Sequence, residues 1–183
     1  MRIGDIDVEP PVVLAPMAGV TDSVFRRIAR RYGIPLAYTE MINDKGLVNG
    51  NRESLSLVRI HPEEGQVGAQ LFGSDPGSMA EAASIAVAAG ACLIDVNMGC
   101  PVPKVVKSGG GAALMRNRNL AAAIVSRISS TVSVPVTVKI RKGWDEDDAD
   151  PAGFAAKMEE AGAAAVTVHG RTRAQGYSGR ADW

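Results

Sequence analysis

The amino-acid sequence predicts an α/β fold of the TIM (β/α)8 type, incomplete because only about six of the eight βα units can be recognised. Apolar runs of the kind that form buried parallel strands alternate with helical segments along the 183 residues. The last four runs each carry a polar residue at or near the carboxyl end, where barrels of this type build their active sites. We therefore expect residues 1–183 to form one partial catalytic barrel domain, with no second domain.

Six strands are predicted, in order, from short runs rich in Val, Ile, Leu and Ala. They cover residues 12–17, 37–41, 67–72, 92–98, 134–140 and 164–169. Their apolar residues are nearly continuous rather than alternating, which is typical of parallel strands covered on both faces. The segment Pro16-Met17-Ala18-Gly19-Val20 follows the first strand in place of the G-x-G-x-x-G turn of dinucleotide-binding sheets. A barrel is therefore favoured over an open doubly wound sheet.

Three of the connecting helices have recognisable boundary residues. The triplet Thr21-Asp22-Ser23 is expected to cap the first helix, which Gly33 ends. The apolar stripe of this helix is predicted to be Phe25, Ile28, Ala29 and Tyr32, and its arginines, expected on a solvated face, are Arg26, Arg27, Arg30 and Arg31. Asp75-Pro76 and Asp150-Pro151 begin two Ala-rich helices, because Asp favours the N-cap and Pro the first helical position.

The balance of charge limits the classes of partner. Lys and Arg together number 20, as do Asp and Glu, so no global field attracts nucleic acid or an anionic membrane. A polyanion would have to bind a local basic patch. Two clusters that are expected on loops at the mouth of the barrel offer such patches, namely Lys104, Lys107, Arg116 and Arg118, and then Arg171 and Arg173.

The two cysteines and the start of the chain indicate where the protein works. Cys92 and Cys100 lack the CxxC spacing of a structural zinc site, and two cysteines do not make a disulfide framework. We expect no metal. The start of the chain carries charges where a signal peptide needs an apolar core, and no apolar run approaches membrane-spanning length. A cytoplasmic location is therefore expected.

Cys100 is the strongest candidate for a catalytic residue. An apolar strand leads directly into Asn97-Met98-Gly99-Cys100-Pro101, so the thiol is presented at a strand end. A thiol in this position suits a proton donor at least as well as a nucleophile. The alternative is a small buried hydrophobic residue, and that is our interpretation of Cys92.

Polar side chains lie at four strand ends, including the one that leads to Cys100, and they are Gln70, Asn97, Lys139 and His169. The two amides both donate and accept hydrogen bonds, which suits recognition of the edge of a heterocycle. Together the four groups offer hydrogen bonds and one positive charge, without a carboxylate pair, so they favour a planar redox-active ring over hydrolysis. Two alternatives stay open: a lysine that extends along an outer face, and a core histidine.

At these residues the chain resembles the tRNA-dihydrouridine synthases, most closely the bacterial B-type enzymes. The segment Asn97-Met98-Gly99-Cys100-Pro101, with Lys104 and Gly109–Ala112, is similar to the signature of that family. The other similar segments are Ala15-Pro16-Met17-Ala18-Gly19-Val20-Thr21-Asp22, Gln70-Leu71-Phe72-Gly73, Val138-Lys139-Ile140-Arg141 and Val168-His169-Gly170-Arg171-Thr172-Arg173. The resemblance runs from the first strand to Trp183.

The resemblance implies an FMN enzyme that reduces selected uridines of tRNA to 5,6-dihydrouridine, with NADPH as the reductant. It implies that the Pro16-Met17-Ala18 backbone lies along the isoalloxazine ring, that Gln70 binds the pyrimidine edge of the ring, and that Lys139 supports negative charge on reduced flavin. His169 is implied to contact cofactor or substrate. Cys100 would protonate C5 of the uracil and Asn97 would hold the uracil edge, while Lys104 and Arg171 are expected to contact the tRNA.

The chain departs from the family pattern in its length. Family members continue through two further barrel strands and a helical domain, so we expect this chain to be partial, to hold FMN weakly and to turn over little by itself. Two rival functions remain: an FMN-dependent dihydropyrimidine or dihydroorotate dehydrogenase-like enzyme acting on a free base, and a non-catalytic partial barrel.

Overall fold

The computed structural model describes residues 1–183 and consists of short strands separated by helices. The strands are β1 (Arg2–Ile3), β2 (Ile6–Asp7), β3 (Val13–Leu14), β4 (Leu36–Tyr38), β5 (Ile42–Asn43), β6 (Gln66–Phe72), β7 (Leu93–Met98), β8 (Val136–Arg141) and β9 (Ala165–His169). The α-helices are α1 (Ser23–Arg31), α2 (Asp44–Val48), α3 (Arg52–Leu57), α4 (Pro76–Ala88), α5 (Pro103–Lys107), α6 (Arg118–Ser129) and α7 (Pro151–Glu160). Two 3-10 helices cover Pro62–Glu64 and Gly111–Arg116. None of the helices is long and apolar enough to cross a membrane.

The main sheet is parallel, and its principal strands follow one another in chain order, β3-β4-β6-β7-β8-β9. This order has no reversal of the kind that defines a doubly wound sheet, so the barrel class is confirmed. Strands β3 and β9 do not pair with each other, and the sheet is a curled partial barrel in which these six strands follow one another and the short β5 pairs with β6 as a seventh. All six predicted strands are present near their predicted positions.

The predicted strand at 37–41 is wrong in one respect, because two short strands, β4 and β5, occupy this region. The hydroxyl of Thr39 accepts a hydrogen bond from the Gln70 N–H at 3.1 Å, in place of a main-chain carbonyl. The ladder to β6 is therefore interrupted at Thr39 and resumes where Ile42 pairs with Leu71.

Helix α1 is capped as expected, since the Asp22 carboxylate accepts from the Phe25 N–H at 2.8 Å. The predicted orientation of the helix is wrong. Three residues of the predicted apolar stripe, Phe25, Ile28 and Tyr32, are exposed, whereas Arg26 is only 3% exposed. The helix packs on the Pro62–Glu64 helix, where the Arg26 guanidinium meets Glu64 Oε2 at 2.5 Å. A buried ion pair, rather than apolar periodicity, determines which face of α1 points inward.

The core lies between the sheet and α4, α6 and α7. A smaller cluster beneath the barrel was not predicted from the sequence. The β1–β2 hairpin and the residue after it pack there against β4 and β7, and the cluster consists of Ile3, Ile6, Val8, Leu36, Tyr38 and Leu93. The hairpin lies at the amino ends of the parallel strands, since Gly4 contacts Pro135 directly before β8. It covers that end with apolar side chains and leaves the carboxyl ends of the strands free for the site.

Candidate active site

A cavity of about 460 Å³ lies at the carboxyl ends of the parallel strands. It brings together eight of the ten predicted site residues, which are Pro16, Met17, Ala18, Gln70, Asn97, Cys100, Lys139 and His169. Adjacent strands supply the polar groups, because Asn97 of β7 pairs in register with Lys139 of β8. The convergence expected from the strand ends is therefore present in the fold.

Two predicted residues lie outside this cavity. Lys104, exposed at the start of α5, lines a neighbouring cavity of about 550 Å³. Arg171 does not line the cavity but contacts His169, which does, and its Nη1 lies 3.3 Å from the His169 Nε2. Its guanidinium also donates to the main-chain oxygens of Ser178 and Gly179, so it is largely committed to its own loop.

A line of hydrogen-bonded side chains forms the floor of the cavity. The amide nitrogen of Gln70 donates to a carboxylate oxygen of Asp95 at 2.6 Å, and the hydroxyl of Thr137 donates to the other oxygen at 2.6 Å. The amide nitrogen of Asn97 donates to the Gln70 oxygen at 2.9 Å. The Asn97 oxygen then accepts from the main-chain N–H of Cys100 at 2.9 Å. Three neighbouring strands thereby fix the position of the cysteine loop.

Lys139 is half-buried in the cavity wall, and it takes part in none of the salt bridges or side-chain hydrogen bonds of the chain. Removal from water lowers the pKa of its ammonium group, whereas the nearby Asp95 carboxylate raises it. Burial also raises the pKa of Asp95, against the hydrogen bonds from Gln70 and Thr137. The ammonium hydrogens of Lys139 are therefore available to acceptors of a ligand.

The surroundings of His169 favour the neutral form of its imidazole. Partial burial lowers the pKa of the imidazole, and the positive charges of Arg141, Lys139 and Arg171 lower it further. Its Nε2 faces the Nη1 of Arg171, which only donates, so Nε2 accepts and the ring hydrogen lies on Nδ1. The interpretation of His169 as a core residue is wrong, because it lines the cavity.

The two cysteines have different environments. Cys100 lines the cavity, and its main-chain oxygen accepts a hydrogen bond from the Ala112 N–H at 3.0 Å. Cys92 packs against the cluster beneath the barrel, and burial raises the pKa of its thiol to about 11. The assignment of Cys92 to packing is confirmed by this position.

Asp95 and Arg141 belong to the site but were not predicted from the sequence. Arg141 lines the cavity and donates to the main-chain oxygens of Gly99 at 2.9 Å and Gly176 at 2.8 Å, so it joins the cysteine loop to the loop after β9. Side chains two apart on a strand share a face. Asp95 precedes Asn97 by two residues and Arg141 follows Lys139 by two, and this spacing was the available signal.

The polar groups around the cavity are mostly donors, which fits a planar ring with carbonyl oxygens on one edge. Lys139 and Arg141 only donate, and the amides of Gln70 and Asn97 have already committed their oxygens within the chain. The volume lies within the range of cofactor sites. The residues present therefore fit a flavin. The structure contains no group of three or more His, Cys, Asp or Glu side chains that could hold a metal ion.

Comparisons with known proteins agree with this site. The family model described as "Dihydrouridine synthase (Dus)" matches residues 13–183. "Probable tRNA-dihydrouridine synthase 1" of Synechocystis sp. is 46% identical over 184 residues, which cover 100% of this chain and 52% of the relative. "tRNA-dihydrouridine synthase B" of Xanthomonas campestris pv. campestris is 45% identical over 183 residues, covering 100% of this chain and 55% of the relative.

The chain thus spans about half the length of the curated relatives it matches. The solved structure of histamine dehydrogenase from Rhizobium sp. 4-9 superposes on 80% of this chain and 32% of that chain, with a TM-score of 0.55 and 14% identity, which is a likeness of fold alone. The resemblance stated from the sequence is confirmed. Since the family model covers nearly all of the residues, the chain belongs to the dihydrouridine synthase family.

Proposed function

We propose that the protein to which this chain belongs reduces specific uridines of tRNA to 5,6-dihydrouridine, with FMN as cofactor and NADPH as reductant. The observation that carries the proposal is the convergence of the Cys100 thiol and the donor groups of Gln70, Asn97 and Lys139 on one cavity, in a chain of this family. The names of the two relatives state the same modification.

The site has a place for the cofactor. The backbone of 16–18 would lie along the flavin ring, with Gln70 at its pyrimidine edge and Lys139 and His169 close by. The loop is held in place, because the Thr21 hydroxyl accepts from the Met17 N–H at 3.0 Å. When bound, FMN supplies the hydride that goes to C6 of the uracil, and NADPH restores the flavin.

The remaining steps belong to the side chains of the protein. Cys100 gives the proton of its thiol to C5 of the uracil, so that the C5–C6 double bond becomes saturated, and the thiolate takes a proton back from water. Asn97 holds the uracil edge. Lys104, exposed at the start of α5, would contact the tRNA, and so would Arg171 with the donor capacity that its own loop leaves free. The target base leaves its stack to enter the cavity, at a cost of a few kcal/mol.

Substitution of the proton donor tests this function. In the full-length protein, Cys100→Ala should slow dihydrouridine formation in tRNA by about 100-fold or more, because a positioned proton donor contributes about 10²–10⁴-fold. The measurement is mass spectrometry of tRNA from single-turnover reactions. Cys92→Ala, which removes a packed thiol away from the cavity, is the control and should retain most of the rate. A parental rate for Cys100→Ala would refute the assignment of Cys100.

The substrate is tested separately with a deletion strain. Loss of dihydrouridine from its tRNA is expected if the protein acts on RNA. An unchanged dihydrouridine content would instead favour a dehydrogenase that reduces a free pyrimidine.

A further inference from the structure

The side chains of Asp95, Gln70 and Asn97 form a line of hydrogen bonds on the floor of the cavity, and every donor in it faces the Asp95 end. The groups at both ends of the line determine this direction. At one end, the Asp95 carboxylate accepts hydrogen bonds and therefore requires Gln70 to present its nitrogen. At the other end, the main-chain N–H groups of Gly99 and Cys100, 3.2 and 2.9 Å from the Asn97 side chain, require Asn97 to present its oxygen.

The middle of the line agrees with both ends. With its nitrogen on Asp95, Gln70 turns its oxygen towards Asn97, whose nitrogen donates to it at 2.9 Å. All three residues are buried, with exposed fractions of 1% for Gln70, 2% for Asp95 and 9% for Asn97, so water does not offer alternative partners. Reversal of either amide would place two acceptors or two donors against each other.

This direction leaves Asn97 with only donor capacity towards a ligand. Its oxygen already accepts from two main-chain N–H groups, while its nitrogen has a second hydrogen to give. That nitrogen lies 3.9 Å from the sulfur of Met41, a weak acceptor that lines the same cavity. A ligand oxygen is a better acceptor, whereas a ligand amino group at this point would meet another donor.

We propose that the line Asp95–Gln70–Asn97 is a specificity device that admits a pyrimidine with a carbonyl oxygen facing Asn97 and rejects one with an amino group there. Uracil carries oxygens at both positions of that edge, and cytosine carries an amino group at one of them. Asp95 acts as a positioning residue, through Gln70. The inference rests on the proposed function, in which Asn97 contacts the target base.

Exchange of the two short side chains tests the direction. In Asn97→Asp alone, the new carboxylate faces the Gln70 oxygen, and Gln70 cannot turn because Asp95 holds its nitrogen. In the double variant Asp95→Asn/Asn97→Asp, every partner is restored with the line reversed: residue 95 donates to the Gln70 oxygen, and Gln70 donates to residue 97. Net charge and side-chain size are unchanged.

The first measurement requires neither cofactor nor tRNA. Urea unfolding of the full-length protein should show a lower midpoint for Asn97→Asp, and the added Asp95→Asn should restore most of the loss. If the decreases in the urea midpoint caused by the two substitutions simply add, without rescue, the hydrogen bonds do not have the proposed direction.

The second measurement is the ratio of dissociation constants for tRNA with uridine and with cytidine at the target position. The parent should prefer uridine by about tenfold or more, since one mismatched buried polar contact is enough for that factor. The double variant should prefer cytidine. Thr137→Val is the matched control, because it removes the other hydrogen bond of Asp95 and leaves the direction intact, so its preference for uridine should persist.

The outcomes separate the two proposals. A double variant that is rescued in urea but still prefers uridine would overturn the specificity device, as would a parent without preference. A parent that forms no dihydrouridine would refute the proposed function, and the urea measurement would still decide whether the line has a direction.

Discussion

The charged side chain of Arg26 is buried, and hydrogen bonds compensate for its removal from water. Its guanidinium meets Glu64 and also donates to the main-chain oxygen of Thr21 at 2.7 Å. Glu64 in turn accepts from the Ser23 hydroxyl at 2.7 Å. Because the hydroxyl of Thr21 holds Met17, the ion pair supports the loop proposed to lie along the flavin. Sequence pattern alone places Arg26 on a helix but does not reveal its distant partner.

Removal of Arg26 should strongly destabilise the protein. Arg26→Met leaves the buried carboxylate of Glu64 without its counter-charge, and we expect a loss of about 3–5 kcal/mol in the free energy of unfolding. Arg27→Met is the matched control. The side chains of Arg27 and its partner Glu63 are 40% and 68% exposed, so its loss should be about 1 kcal/mol or less. Equal losses in urea unfolding would contradict the role of the buried pair.

His169 should make the stability of the protein depend on pH. Its pKa in the folded state lies below the ordinary value of 6.5, so the folded protein binds fewer protons than the unfolded chain. This contribution is complete above about pH 6.5 and is lost as the pH falls through the lowered pKa. We expect His169→Gln to lose less stability than the parent between about pH 7.5 and pH 5.5, measured by urea unfolding. Parallel profiles would contradict this.

The strands were predictable because buried parallel strands have continuous apolar runs, and the caps at Asp22, Asp75 and Asp150 were predictable because helix starts need side-chain acceptors. The interruption at Thr39 was not predictable, since it depends on one side-chain hydrogen bond to the neighbouring strand. The β1–β2 hairpin was missed because two-residue strands have no detectable period.

The turn of this hairpin should be sensitive to a single methyl group. Gly4 has φ +59°, and a Cβ there would lie 2.6 Å from the Cγ of Pro135. Gly50 has φ +69° with open space around it. Gly50→Ala should therefore cost about 1 kcal/mol from backbone strain alone, and Gly4→Ala should cost clearly more. Thermal unfolding of the two variants measures the difference, and equal losses would show that the contact with Pro135 relaxes freely.

At the scale of the whole molecule, the sequence predicts which side chains meet in the site, but it does not predict how the helix α1 packs. Strand ends on one edge of a parallel sheet must meet, and so Gln70, Asn97, Lys139 and His169 could be placed together from the sequence. The orientation of α1 could not, because its apolar residues Phe25, Ile28 and Tyr32 remain exposed in this partial barrel. Which face is buried depends on elements far away in the sequence.

The open sheet should weaken cofactor binding by the 183-residue chain alone. Strand β9 lies at the edge of the sheet, and its Val168 is 44% exposed, close to the proposed flavin contact His169. We expect FMN to bind this chain at least about tenfold more weakly than it binds a full-length relative, because an unsupported edge loses part of its order. Titration with quenching of flavin fluorescence measures both. Comparable affinities would show that the six strands suffice.

Arg141 ties two loops into one unit, from Gly99 on one side to Gly176 on the other. A ligand that enters between these loops therefore has less loop motion to immobilise, and binding should cost less conformational entropy than at a site with two independent loops. Recognition at such a mouth depends on shape that exists in advance. The rate at which a ligand dissociates, rather than a slow rearrangement of these loops, should then set how quickly ligands exchange.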